Sequence, residues 1–277
     1  MAPPSPARIV YTDLDGTMVG PRGSFWHTAG RELTADPAAA LLALHHAGVP
    51  LVLVSGRTFE QVIEAARIFA ADGAIAELGA TVAWDAGRGA HRLTGALPAE
   101  YTGRTPMDVM AELGVVEKLI AAHPGRLEWH APWHVTHSAD ALLRGRVDPL
   151  AVDAWLAERG AGWLTLKDNG TITTTSRMTL DPDALPPRVY HLMPRGISKG
   201  AAIAWDLERR GLSPDDAVAI GDSVSDLEMA PAVGRLWITA NGAATEGMIE
   251  LMAAVPNVTV TDAAMGEGWA QAVLASL

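Results

Sequence analysis

The chain of 277 residues contains no cysteine, so it can form neither a disulfide framework nor a thiolate metal site. No uninterrupted apolar stretch approaches the ~20 residues that a membrane-spanning helix needs. The first residues, Met1 to Arg8, are rich in proline and lack the apolar run of a secretion signal. These absences predict a soluble, cytoplasmic protein without a membrane partner.

Positive charge is also scarce. The formal net charge is -11, whereas a nucleic-acid surface requires clustered Lys and Arg, so we expect no nucleic-acid partner. The overall field does not attract an anionic ligand, and any attraction must therefore be local. Hydrophobic residues make up 49% of the chain, which is enough for a sizeable core, and a monomer or a homodimer is compatible with this composition.

Short apolar strands alternate with helices at both ends of the chain, which is typical of an α/β fold with a parallel sheet. In the first part, candidate strands are 8–11, 49–54 and 74–76, and candidate helices are 37–46 and 58–71. In the last part, a candidate helix at 199–210 precedes candidate strands at 217–220, 236–239 and 258–260.

The middle of the chain has a different pattern, with most of the tryptophans and histidines and several Gly and Pro breaks. Candidate helices are 107–123 and 148–160, and candidate strands are 126–130, 133–138, 162–166, 171–175 and 188–192. We therefore predict a Rossmann-like parallel-sheet core formed by 1–84 and 195–277, interrupted by an inserted α+β domain at 85–194.

Four polar segments follow the predicted strands or begin a helix, and the carboxyl ends of parallel strands are where ligands bind in open sheets. Asp13 and Asp15 lie two residues apart after the first strand, and Asp222 and Asp226 follow a later one. Converging carboxylates repel one another unless a cation compensates them, and oxygen ligands suit Mg²⁺ better than zinc.

Hydrogen-bond donors and positive charge for a phosphate are available from Ser55, Arg57 and Lys199. A carboxylate nucleophile, a second carboxylic acid, a cation and Mg²⁺ together describe phosphoryl transfer through an aspartyl-phosphate. Ser55 is also a favourable N-cap for the helix that follows it, and both roles are compatible because a helix N-terminus attracts phosphate.

The segments DLDGT, SGR, GISKG and GDSVSD occur in the order of the four motifs of the haloacid dehalogenase superfamily, which this chain resembles. The position of the insert, between the second motif and the lysine, resembles the subgroup with a type-two cap, which includes Cof-like and sucrose-phosphatase-like enzymes. The resemblance implies a magnesium-dependent phosphatase for a small phosphorylated metabolite, with a sugar or polyol phosphate as the expected substrate. A phosphomutase of the phosphomannomutase type and a non-catalytic binding protein are the alternatives.

The resemblance also implies a role for each motif residue. Asp13 is the expected nucleophile and a magnesium ligand, and Asp15 the expected acid and base, whose backbone carbonyl contacts the metal. Asp222 is a further expected magnesium ligand. The residues expected to bind the transferring phosphoryl group are Ser55, Gly56 and Lys199. The residues expected to support them are Thr17, Arg57 and Asp226.

Two further features limit what the sequence says about the substrate. Ser225 and Leu78 stand where the family often has Asn, and Leu78 therefore removes an amide near the expected cap entrance. His130, His134 and His137 lie close in sequence, but a strand would place the first two on one face and the third on the other. We interpret them as half-buried residues of the cap sheet, with substrate contact or a zinc site as alternatives.

Overall fold

The computed structural model describes residues 6–277. Residues 1–5, which belong to the segment in which no secretion signal is predicted, lie outside the described residues. Within this range the chain divides into two compact units. The larger comprises the described residues up to Leu93 together with Ser198–Leu277, and the smaller comprises Thr94–Ile197. None of the helices in this range is long and apolar enough to cross a bilayer.

The described residues form twelve strands and ten α-helices. The strands, in chain order, are β1 Ile9–Thr12, β2 Leu51–Val54, β3 Gly73–Ala76, β4 Thr81–Trp84, β5 Gly89–Arg92, β6 Leu127–Trp129, β7 Ala141–Gly145, β8 Leu164–Thr171, β9 Arg188–Pro194, β10 Ala217–Gly221, β11 Arg235–Ile238 and β12 Val258–Val260. The helices are α1 Asp36–His46, α2 Phe59–Ile68, α3 Pro106–Leu113, α4 Val115–Ala122, α5 Pro149–Ala157, α6 Lys199–Arg210, α7 Val224–Leu227, α8 Ala240–Ala243, α9 Met248–Met252 and α10 Met265–Leu274.

The larger unit contains a sheet of eight strands in the order β12-β11-β10-β1-β2-β3-β4-β5. The pairs from β12 to β3 are parallel, and β4 and β5 extend the sheet in antiparallel orientation. The predicted α/β fold with a parallel-sheet core is therefore confirmed. Residues 89–92, which the sequence assigns to the insert, form the edge strand β5 of this sheet.

Both faces of this sheet are covered, which explains why its inner strands are continuous apolar runs without a polar alternation. In β2, Leu51 and Leu53 pack with helices α1, α2 and α10 on one face, whereas Val52 and Val54 pack with α6 on the other. Because both faces are buried, the strands are fixed, and their polar carboxyl ends are held at one edge of the sheet.

The smaller unit is an antiparallel sheet of four strands in the order β6-β7-β9-β8, packed with α3, α4 and α5 around its own core. The predicted helix at 107–123 is two helices, because Gly114 adopts a left-handed conformation with φ 59° and ends α3. The predicted strand at 133–138 is wrong. The chain forms turns from residue 131 to residue 136, where Thr136 has φ 68°. The predicted strand at 171–175 is also wrong, since Thr171 is the last residue of β8.

Candidate active site

The order β10-β1-β2 places the carboxyl ends of three parallel strands side by side. Asp13 directly follows β1, Ser55 follows β2, and Asp222 follows β10. The backbone of Asp13 continues the sheet ladder, because its N–H donates to the carbonyl of Ile220 at 2.9 Å. Both Asp13 and Ser55 are buried. Residues more than 150 positions apart in the chain are thus brought to one edge of the sheet by strand pairing.

Lys199 is the first residue of α6 and lies against two of these carboxylates. Its Nζ donates to Asp13 Oδ1 at 2.8 Å and to Asp226 Oδ1 at 2.6 Å, and its side chain is 3% exposed. Burial alone lowers the pKa of Lys199, but the attraction of the two carboxylates outweighs it and raises this pKa above its ordinary value. The lysine is therefore a buried cation, in spite of its unfavourable position at a helix N-terminus.

Asp226 is fully buried and holds the loop that carries Asp222. Its Oδ2 accepts the backbone N–H groups of Asp222 at 3.0 Å and Ser223 at 2.9 Å, and the hydroxyl of Ser223 at 2.7 Å. Its other oxygen accepts Lys199. Asp226 therefore links the orientation of the lysine to the position of Asp222.

Three carboxylates converge at this edge and have one buried lysine among them. Carboxylate oxygens of Asp13, Asp222 and Asp226 all lie within 4.8 Å of one another. Burial raises the pKa of Asp13 in spite of the opposing charge of Lys199, and burial and the charge of Asp226 raise the pKa of Asp222 to about 7. An excess of negative charge on oxygen-only donors fits a hard divalent cation such as Mg²⁺.

The carboxylate of Asp15 lies outside this cluster and is bound by Arg57. Arg57 donates from Nε to Oδ2 at 2.7 Å and from Nη2 to Oδ1 at 2.6 Å, and these hydrogen bonds raise the pKa of Arg57. The Asp15 side chain is 54% exposed. The backbone N–H of Arg57 also donates to the Ser55 hydroxyl at 3.2 Å, across the half-buried Gly56. Arg57 therefore connects Asp15 to the segment after β2.

The N-cap of the helix after that segment is Thr58, whose N–H donates to the side chain of Gln61 at 3.2 Å. The interpretation of Ser55 as the helix cap is therefore wrong, because the N-cap lies three residues later. The Ser55 hydroxyl lies near the strand end, with Arg57 as its described donor.

Two residues bind the carboxylate of Asp222. The Thr17 hydroxyl donates to Asp222 Oδ1 at 2.8 Å, and Asn241 Nδ2 donates to Asp222 Oδ2 at 3.2 Å. Asn241 has no predicted role in the sequence. The sheet topology accounts for its position, because Asn241 lies three residues after β11, the strand next to β10, and so belongs to the same edge of the sheet.

The histidine-rich segment of the smaller unit forms a separate polar cluster. The fully buried Asp140 pairs with Nδ1 of His137 at 2.7 Å and with Nδ1 of His191 at 2.6 Å. Burial opposes ionisation of Asp140, but the two histidines outweigh it and lower the pKa of Asp140. His130 and His134 lie on the turn before this cluster rather than on a strand face, because the backbone N–H of His134 donates to the backbone carbonyl of His130 at 3.1 Å.

Comparison with known proteins agrees with this geometry. Residues 176–259 match the family profile described as haloacid dehalogenase-like hydrolase. A curated phosphoglycolate phosphatase from Methanoculleus marisnigri is 25% identical over 228 residues, which cover 82% of this chain and 81% of that protein.

Two solved structures share the fold over almost the whole chain. The sucrose-phosphatase from Synechocystis is 14% identical, covers 97% of each chain and has a TM-score of 0.64. A protein from Thermoplasma acidophilum is 18% identical, covers 96% of each chain and has a TM-score of 0.62. The ordered motifs, the sheet that gathers them and the profile match over residues 176–259 show that the chain is similar to haloacid dehalogenase-like hydrolases.

Proposed function

We propose that the chain is a magnesium-dependent phosphatase that hydrolyses a small phosphate monoester through an aspartyl-phosphate on Asp13. The observation that carries the proposal is the position of Asp13 between Lys199 and the carboxylates of Asp222 and Asp226. A buried carboxylate with a lysine at 2.8 Å is oriented for attack, and the same lysine can contact a phosphoryl oxygen.

The reaction then follows in two displacements. An Asp13 oxygen attacks phosphorus, the bond from phosphorus to the leaving oxygen breaks, and that oxygen takes a proton from the Asp15 carboxyl. In the second step the Asp15 carboxylate removes a proton from water. The resulting hydroxide attacks phosphorus, the bond to Asp13 breaks, and inorganic phosphate leaves. Asp15 must exchange its hydrogen bonds with Arg57 for the leaving oxygen during this cycle.

The cation would be held by the carboxylates of Asp13 and Asp222 and by the backbone carbonyl of Asp15. When bound, it supplies positive charge that offsets the repulsion between the carboxylates and a phosphate dianion. Ser55 and the backbone at Gly56 would hold the phosphoryl oxygens during the transfer. Asp226 keeps Lys199 oriented in both steps, since its own oxygens remain bound to the lysine and to the loop at Ser223.

A sugar or polyol phosphate is the substrate class that we propose. It is supported by the likeness to the sucrose-phosphatase, whose structure contains sucrose and phosphate. Phosphoglycolate is a second candidate, because the phosphoglycolate phosphatase matches most of the chain. A cytoplasmic location and a monomeric or homodimeric state stay predictions of the sequence.

The test is phosphate release from p-nitrophenyl phosphate in magnesium by the full chain and by Asp13→Asn. We expect the variant to lose phosphate release, whereas Asp36→Asn, which changes an exposed carboxylate of α1, should keep it. Full activity of Asp13→Asn would refute the mechanism. Steady release without an added acceptor distinguishes a phosphatase from a phosphomutase.

A screen of hexose, pentose, disaccharide and polyol phosphates, with phosphoglycolate included, then tests the substrate class. A preference for phosphoglycolate would favour the second candidate. Activity confined to nucleotides or phosphoproteins would refute the sugar-phosphate part and leave the chemistry of Asp13 untouched.

A further inference from the structure

The carboxylate of Asp222 is bound at both oxygens before any cation arrives. The Thr17 hydroxyl donates to Oδ1 at 2.8 Å and the Asn241 amide donates to Oδ2 at 3.2 Å. A carboxylate oxygen can accept more than one hydrogen bond or ligand, so each oxygen keeps a free position after these contacts. The two donors therefore fix the plane of the carboxylate and leave it open to a cation.

The side chain of Asn241 is itself held at both ends. Its Nδ2 also donates to the carbonyl of Gly16 at 2.9 Å, and its Oδ1 accepts the backbone N–H of Met265 at 2.7 Å. Because a backbone carbonyl can only accept and a backbone N–H can only donate, these partners allow one orientation of the amide. Asn241 thus bridges the loop after Asp13, the loop after β10 and the start of α10.

Close backbone packing prevents either partner from moving away. A Cβ on Gly242 would lie 2.3 Å from the carbonyl oxygen of Asp222, so the start of α8 lies directly on the backbone of Asp222. A Cβ on Gly16, where φ is 86°, would lie 2.3 Å from Asp222 Oδ2. Gly242 therefore packs on the backbone of Asp222 and Gly16 on its Oδ2, while two hydrogen-bond donors hold the carboxylate.

We propose that Asn241 is a positioning residue that orients the Asp222 carboxylate for the divalent cation and so sets the affinity of the site for that cation. The inference rests on the proposed magnesium site. Partners that hydrogen-bond a metal ligand typically change metal affinity by about 10- to 100-fold when they are removed. Without the amide, Asp222 loses the donor at Oδ2, and only Thr17 at Oδ1 orients the carboxylate before the cation binds.

The experiment is calorimetric titration of Mg²⁺ and of Mn²⁺ into the full chain, in phosphate-free buffer and without substrate. Asn241→Ala should bind both cations about 10- to 100-fold more weakly than the unchanged chain. The matched control is Asn257→Ala. Asn257 also donates to two backbone carbonyls, those of Ala230 and Val233, at 2.9 and 2.8 Å, but neither belongs to the cation site. This control should lower thermal stability and leave cation affinity unchanged.

Wild-type cation affinity in folded Asn241→Ala would overturn the proposal. Asn241→Ser, which keeps a small polar group, is the second variant should the alanine variant not fold, and it is expected to show the same loss. Failure of both to fold would assign Asn241 a structural role and overturn the positioning role. A wild-type chain that binds Mg²⁺ and releases no phosphate would refute the proposed function alone, because the titration does not depend on turnover.

Discussion

Replacement of Lys199 by methionine removes the cation that contacts Asp13 and Asp226 while keeping a side chain of similar length. The lysine and both carboxylates are nearly inaccessible, with side chains 3%, 9% and 0% exposed. Breaking a buried ion pair by removing one partner costs about 3–5 kcal/mol, because the remaining charge is left uncompensated. We therefore expect Lys199→Met to lower the free energy of unfolding of the larger unit by about this amount in EDTA at pH 8.

The loss of stability in Lys199→Met should depend on pH and on magnesium in a defined direction. Without the lysine, the two carboxylates can reduce their charge by binding a proton. In the folded variant these carboxylates therefore hold more protons than they do in the folded wild type. Its stability relative to wild type must then fall as the pH rises, and the deficit should be smaller at pH 5 than at pH 8. Magnesium should stabilise the variant more than the wild type, because a divalent cation meets the same carboxylates without a competing lysine.

Urea unfolding at pH 5 and pH 8, with EDTA or with magnesium, measures all three effects. Lys118→Met is the control, since Lys118 donates to the carbonyl of Leu113 on an exposed helix surface and should change stability by no more than about 0.5 kcal/mol. If the free energy of unfolding of Lys199→Met lies within about 1 kcal/mol of wild type in EDTA at pH 8, the expected contribution of the buried ion pair to stability is refuted.

Three further changes test other parts of the structure. Arg57→Met removes both hydrogen bonds to Asp15, and phosphate release should fall more for an alkyl phosphate than for p-nitrophenyl phosphate, whose leaving group needs little protonation. Gly79→Ala places a Cβ 2.1 Å from the carbonyl oxygen of Ser198, the residue that caps α6. The control is Gly48→Ala, because Gly48 also has a positive φ but has open space around it. In urea unfolding, Gly79→Ala should lower stability by about 1–3 kcal/mol more than this control. Burial lowers the pKa of His130 to about 4, so between pH 6.5 and pH 4 the unfolded chain binds a proton that the folded chain does not. The free energy of unfolding should therefore fall on acidification over this range, by at most about 1.4 kcal/mol per pH unit. Urea unfolding of His130→Gln should lack this contribution to the pH dependence of stability.

The sequence predicts the larger sheet well because its strands are continuous apolar runs bounded by helices, and this pattern has few alternatives. It predicts the smaller unit less well. The segment Trp133 to Ser138 contains β-branched and aromatic residues, but its backbone turns, since propensity is a weak constraint where tertiary contacts decide the path. The pairing of Asp140 with His191 spans 51 positions and depends on the register of β7 and β9, in which Leu142 is opposite His191. That register cannot be obtained from local pattern.

The candidate site shows the same division. Acidic and basic residues after apolar strands are visible in the sequence because their chemistry is distinctive, and Asp13, Lys199 and Asp222 could be named in this way. Asn241 could not, because an amide has no such chemistry and the sequence does not state that β11 lies beside β10. The bidentate contact of Arg57 with Asp15 also depends on the adjacency of β1 and β2.

The charges at the sheet edge support the proposed divalent cation there. The edge holds four carboxylates and two cations, namely Asp13, Asp15, Asp222, Asp226, Lys199 and Arg57. Four negative and two positive charges leave a formal charge of -2 when all are ionised, and one divalent ion cancels it. Each of the two cations contacts a carboxylate, so much of its charge is already offset before a phosphate dianion arrives. The raised pKa values of Asp13 and Asp222 express the same imbalance, since protons reduce the excess charge where a cation has not. If the proposed metal supplies the missing two units of positive charge, we expect the site to bind its substrate only after it has bound that metal.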